Sequence, residues 1–176
     1  MPVIDRGSAR GERPFIPALL VLALFAAASL PAQTLLLSMR ETSGGTDLPS
    51  PLPASDGLQS SLFDRGFIVF DMPAGSPRPS TKELAAAAMA SGAQAALMVQ
   101  VEYREPSRGA SLSQLSATAS FSLIDPGTGS QRISGREEAS NRQREKPLTL
   151  AELGREIGGR VAARVIAAFA DGKSSP

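Results

Sequence analysis

From residue 97 the chain alternates. Leu97, Val99, Val101 and Tyr103 take one parity and Met98, Gln100, Glu102 and Arg104 the other, a period of two that predicts a half-buried strand. Ala117, Ala119, Phe121 and Leu123 repeat the pattern against Thr118, Ser120 and Ser122. After a bend, residues 132–138 continue in extended fashion, with Ile133 as their one large apolar side chain. Of two earlier runs, 34–41 reads as a buried strand that turns polar at its end, and Phe67-Ile68-Val69-Phe70 as a compact β-rich run. The period then changes to that of a helix: Leu150, Leu153, Ile157, Val161, Val165, Ala168 and Phe169 trace a single helical stripe. Thr149 with Glu152, and Ser80 with Glu83, have the spacing of a capping box, which satisfies free amides at a helix start. The second box opens a helix through Leu84, four alanines and Met89, stopped at Gly92. A shorter helix carries Leu58 and Leu62 on one face, between a cap at Ser55 or Asp56 and a stop at Gly66. In chain order the elements are β-α-β-α-β-β-β-α. Strand–helix alternation followed by a meander predicts an α/β (α+β) fold, a single mixed β-sheet with helices packed on it.

Between these elements lie residues 43–53, too rich in Gly and Pro for regular structure, and two further loops at 74–79 and 105–114. Residues 140–147 form a polar connector. In the last helix Gly154 and Gly158 stand four apart, where small residues let a neighbouring backbone come close. Arg155, Glu156, Arg160 and Arg164 on the same helix exclude a membrane span there.

The first 32 residues follow another pattern. Arg6, Arg10 and Arg13 precede an apolar run over residues 15–28, followed by the small residues and proline of Ser29-Leu30-Pro31-Ala32. This three-part layout predicts a secretory signal peptide at 1–32, cut after Ala32 or after Ala28. The alternative is an uncleaved N-terminal anchor, because apolar residues resume at Leu35. Residues 33–171 then form a single α/β domain and 172–176 a disordered tail, in an exported, periplasmic chain. Of 18 basic and 17 acidic residues, three and two lie in the first 32. The remainder balances, which gives no electrostatic footprint for nucleic acid or an anionic membrane. Membrane contact is expected, if at all, only through an uncleaved N-terminal segment.

The chain has no His and no Cys. Histidine acid–base chemistry, thiolate chemistry, disulfides, the usual soft-metal sites and a lipidated cysteine are therefore ruled out. A carboxylate mechanism stays conceivable, drawing on Asp64, Asp71, Glu102 and Asp125, but each has a plainer reading as a solvated or turn-forming residue. The loop Asp125-Pro126-Gly127-Thr128-Gly129 lacks the lysine of a phosphate-cradling loop and the third glycine of a dinucleotide fingerprint. Pro126-Gly127 supplies a fixed φ and then a positive one, the chemistry of a hairpin turn. Arg132, Arg136, Arg142, Arg144 and Lys146 could face an anionic partner, but Glu137, Glu138 and Glu145 interleave with them. A solvated mixed-charge edge is the simpler reading. The expectation is therefore no catalytic, cofactor-binding or metal-binding residue, and no cofactor.

Three segments carry a resemblance. Residues 57–71 resemble a helix followed by a strand ending in Asp, residues 85–103 a helix, a Gly-containing turn and a strand, and residues 121–129 a hairpin with an Asp-x-x-Thr-Gly bend. Together they are similar to a group of bacterial envelope domains. The group includes the N-terminal domain of TolB, the curli-secretion lipoprotein CsgG and lipoprotein activators of penicillin-binding proteins. The resemblance implies a periplasmic, non-catalytic docking or assembly role, with another envelope protein or a peptidoglycan-associated component as partner. The alternatives are a carboxylate-dependent cell-wall hydrolase and a small-ligand-binding periplasmic protein using the loops at 43–55 and 105–114.

Overall fold

The computed structural model describes residues 32–49, 52–72, 79–105 and 114–171. The predicted signal segment, the tail, and most of the loops at 74–79 and 105–114 lie outside them. One mixed sheet carries six strands. They are β1 (Gln33–Ser43), β2 (Thr46–Asp47), β3 (Phe67–Asp71), β4 (Ala95–Arg104), β5 (Ser116–Ile124) and β6 (Gln131–Ser140). Among the described residues three helices accompany them, α1 (Pro53–Phe63), α2 (Thr81–Ser91) and α3 (Leu150–Asp171). This is the single mixed sheet with packed helices that the periodicity predicts.

Strand β1 lies beside β4, parallel to it, and β3 runs parallel along the first half of the other side of β1. Strands β4, β5 and β6 form the antiparallel meander. The alternation sorts the side chains as predicted. Leu35, Leu37, Leu97, Val99, Val101, Phe121 and Leu123 meet Leu58 and Leu62 of α1 and Leu153, Ile157, Val161 and Val165 of α3 in the main core. The opposite face buries only a small cluster, Leu36, Ala96 and Ile124 under Leu84, Ala85 and Ala88 of α2. Phe121 faces Gly135 across the β5–β6 pair, and a Cβ at Gly135 would sit 2.6 Å from the ring. At the far end of α3, Phe169 meets Phe67 edge to face at 5.2 Å.

Both capping boxes form. The Ser80 hydroxyl accepts from the Glu83 amide while Glu83 takes the Ser80 amide at 2.7 Å, and Thr149 with Glu152 does the same at 2.8 Å. Gly92 closes α2 in the left-handed conformation. Three expectations are corrected. Within residues 43–53, Gly44 and Gly45 both take positive φ, which turns the chain back so that β2 pairs with Thr42 and Ser43. The 125–130 bend is a hairpin, but its positive φ falls on Gly129, two residues after Gly127, because Asp125 holds the Thr128 amide through its side chain and the Gly129 amide through its carbonyl. Neither Ser55 nor Asp56 caps α1: the helix starts at Pro53, its N-cap position is Leu52, and no side chain there caps it.

Helices α1 and α3 cross with their backbones in contact. A Cβ on Gly57 would lie 2.2 Å from the Arg155 carbonyl oxygen, and one on Gly158 would lie 2.1 Å from that of Ala54. Gly159, one residue on, would meet only the Ser61 hydroxyl at 3.5 Å. The two sites therefore respond oppositely to the same change. Gly158→Ala is expected to lower stability by about 3 kcal/mol, as overpacking does. Gly159→Ala is expected to raise it by about 1 kcal/mol through helix propensity. Urea denaturation of both variants checks the pair.

Candidate functional site

Past Leu37 and Met39, the core-facing parity of β1 reaches Glu41, whose side chain is buried at 1% exposure. A carboxylate there is costly unless it is fully hydrogen-bonded. It is. Oε2 accepts the Tyr103 hydroxyl at 2.7 Å and the Ala54 amide at 3.2 Å, and Oε1 accepts the Ser55 amide at 2.9 Å. Ala54 and Ser55 belong to the first turn of α1, whose amides have no acceptor within the helix. Glu41 thus supplies from the sheet the cap that α1 lacks in its own sequence, and its charge faces the positive end of the helix dipole. On α3, Gly154 makes room for this arrangement: a Cβ there would sit 2.6 Å from the Tyr103 oxygen and 2.5 Å from Pro53. All three donors are committed, so this carboxylate is a structural centre.

Above it lies a depression of roughly 360 Å³ lined by Ser43, Gly44, Glu102, Tyr103, Arg104 and Glu105, with the Ser43 hydroxyl donating to Glu105 at 2.6 Å.

The carboxylates proposed for chemistry are kept apart. Asp64 ends α1 and Asp71 ends β3, a strand length of about 13 Å from each other. Asp64 and Asp125 share an end of the sheet, but β1 and β4 stand between β3 and β5, three spacings totalling about 14 Å. Glu102 pairs with Thr118 at the opposite end of β5 from Asp125, about 20 Å away along the strand. Asp71 and Glu102 point to opposite faces of the sheet. The same three spacings separate Asp71 from Asp125, and Asp64 and Glu102 lie at opposite ends of the sheet, so no two of the four reach the separation of about 5–10 Å that a carboxylate pair needs. Asp71 accepts from Gln59 of α1 at 3.0 Å. Asp125 braces the hairpin: hydrogen bonds from Arg132 first, then from the Thr128 amide, hold its carboxyl below the usual range. Among the described residues no cluster of acids could hold a metal ion.

The basic cluster is dispersed into local pairs. Arg132 meets Asp125, Arg136 meets Glu138 at 3.1 Å, and Arg144 meets Glu156 at 2.7 Å. Asn141, inside the connector read only as polar, is fully buried and exchanges two hydrogen bonds with the Leu148 backbone at 2.7 and 3.0 Å. The exposed apolar residues lie elsewhere: Phe63 at the end of α1, Ile68 and Phe70 on the edge strand β3, and Met89 on α2.

Sequence reasoning missed Glu41, Asn141 and the apolar edge. For Glu41 the signal was present. Leu35, Leu37, Met39 and Glu41 share one parity of the strand read over 34–41, so its alternation followed to the last residue places the carboxylate on the core face.

No family model and no curated protein matches the chain. Solved structures do. Hypothetical protein CT253 from Chlamydia trachomatis is 12% identical with a TM-score of 0.50, over 77% of this chain and 96% of that one. The LpoB C-terminal domain from Escherichia coli is 17% identical with a TM-score of 0.46, over 69% and 93%. TolB from Acinetobacter baumannii is 10% identical with a TM-score of 0.42, over 79% of this chain and 28% of that one. The likeness to CT253 is one of fold alone.

Burial first, then the hydrogen bond to Glu41 and its charge, push the Tyr103 phenol far above its ordinary value near 10. A folded pKa above the unfolded one means stability that is whole below pH 10 and lost as pH rises beyond it. Tyr103 is the chain's one tyrosine. Its phenolate absorbance is therefore expected to appear only together with alkaline unfolding, and Tyr103→Phe is expected to flatten the loss of stability above pH 10. Spectrophotometric titration alongside circular dichroism checks both.

Proposed function

We propose that this chain is an exported, non-catalytic protein-binding module of the bacterial cell envelope, partnered by another envelope protein or a peptidoglycan-associated component. The observation that carries the non-catalytic reading is the fate of the carboxylates. In a chain without His or Cys they are the remaining acid–base groups of choice, and the buried one, Glu41, is consumed in capping α1. The other four candidates stand too far apart to act in pairs. Export is supported by the basic, apolar and small-residue sequence of 1–32. The envelope assignment is supported by the resemblance of residues 57–71, 85–103 and 121–129 to docking domains of that compartment.

A sheet covered by helices on one face and only partly on the other suits docking. Ser38, Arg40, Gln100, Glu102, Ser120 and Arg136 share the open face. They offer polar contacts of both signs and no enclosed cleft. Fractionation of cells producing the full chain is expected to place it in the periplasm with Gln33 as its first residue, and crosslinking there is expected to trap a discrete partner. A chain retained in the cytoplasm, or one wholly uncrosslinked in the envelope, contradicts the reading.

A second reading, a small-ligand site, is favoured by the depression at Ser43, Gly44 and Glu105, because these residues belong to the two loops proposed for ligand binding. A ligand held there raises the melting temperature in a thermal-shift screen. A screen of envelope metabolites with no stabilising compound counts against it.

A further inference from the structure

The two edges of the sheet are treated differently. The outer edge, β6, carries Arg132, Arg136 and Glu138 exposed along one face, the charged guard that keeps edge strands from pairing. The other edge, β3, has Ile68 and Phe70 on one face, 43% and 41% exposed. Among the described residues no strand pairs with its outer side, and the peptide groups left free there can be assigned. The Met72 amide donates to the Leu37 carbonyl at 2.9 Å in the parallel β1–β3 ladder. By alternation Ile68 and Phe70 direct their N–H and C=O toward β1, and Phe67, Val69 and Asp71 direct theirs outward.

We propose that β3 pairs with β3 of a second copy of this chain, antiparallel, about a two-fold axis at Val69. The strand is self-complementary in that register and no other centre does as well. Val69 faces Val69 of the second copy and Phe67 faces Asp71, all through outward-pointing peptide groups, so each forms a hydrogen-bonded pair. Ile68 then lies opposite Phe70 of the second copy, and Phe70 opposite Ile68. These are non-hydrogen-bonded pairs, in which side chains come closest. The apolar pair exposed in one copy is covered by the same pair in the other, and two six-stranded sheets join into one. This isologous arrangement closes on itself, so it yields a dimer and not a fibre. It goes beyond the docking reading and does not rest on it: β3 is used by the second copy, and the open polar face stays available to a different partner.

The absence of cysteine from the chain makes the test clean. Val69→Cys in the exported full chain puts two thiols on the axis, with Cα atoms about 5.5 Å apart, within the span of a disulfide. Ser134→Cys, exposed on β6, reports chance encounters. The expected result is a disulfide-linked dimer as the main band for Val69→Cys and a minor one for Ser134→Cys on a non-reducing gel. Adding Ile68→Lys to Val69→Cys is expected to abolish the dimer while the circular dichroism spectrum stays native. Adding Ile68→Lys and Phe70→Glu together is expected to restore it, because each lysine then meets a glutamate across the axis. Equal linkage of Val69→Cys and Ser134→Cys, linkage of Val69→Cys to a protein of another mass, or a dimer indifferent to Ile68→Lys would each overturn the proposal.

Discussion

A single buried carboxylate ties the layers of this fold together. Glu41 projects from β1 into the core, takes the first amides of α1 and the hydroxyl of Tyr103 on β4, and leaves Gly154 of α3 as the one residue type that fits above it. Desolvating such a group costs several kcal/mol, and removing one of its donors leaves charge in a low-dielectric interior. The sheet, both helices of the main core and their crossing are therefore fixed relative to one another by one set of hydrogen bonds. The glycines at 57, 154 and 158 follow from the same constraint. With α1 held by its N-terminus against the sheet, α3 can cover it only by backbone contact, and any side chain at those positions would push the helices apart.

The same arrangement commits most of the buried polar groups to structure. Half of the sheet is spent on a dense apolar core, and the polar groups inside it answer to structural duties: Glu41 to a helix start, Asn141 to the turn before α3. Asp125 and Arg132, which look like a site in a glycine-rich loop, brace a hairpin. What the molecule leaves available is surface, a polar sheet face of mixed charge on one side and an unguarded apolar strand edge at β3.

Much of this architecture was legible in the sequence, because period-two and period-3.6 patterns report which face an element buries. The alternation at 97–103 and 117–123, the stripe from Leu150 to Phe169 and the two capping boxes all correspond to observed elements. The start of α1 was not legible. Local rules look for a cap among residues adjacent to the helix, at Ser55 or Asp56, and the cap comes from Glu41, more than a turn's reach away in the chain and brought close only by the sheet. Strand β2 was hidden for a related reason: Gly44-Gly45 reads as a breaker, yet its positive φ is what returns the chain onto β1. The separation of Asp64, Asp71, Glu102 and Asp125 depends on strand order, which periodicity does not encode. The apolar edge was missed because a compact β-rich run such as Phe67-Ile68-Val69-Phe70 does not say whether it lies inside the sheet or at its edge.

The central claim is that Glu41 caps α1 from the sheet, and native-state hydrogen exchange tests it most directly. Amides in a first helical turn without an acceptor exchange rapidly. Here the Ala54 and Ser55 amides are expected to be protected as strongly as those of β4, exchanging only through global unfolding. Fast exchange of these two amides in an otherwise protected domain would contradict it.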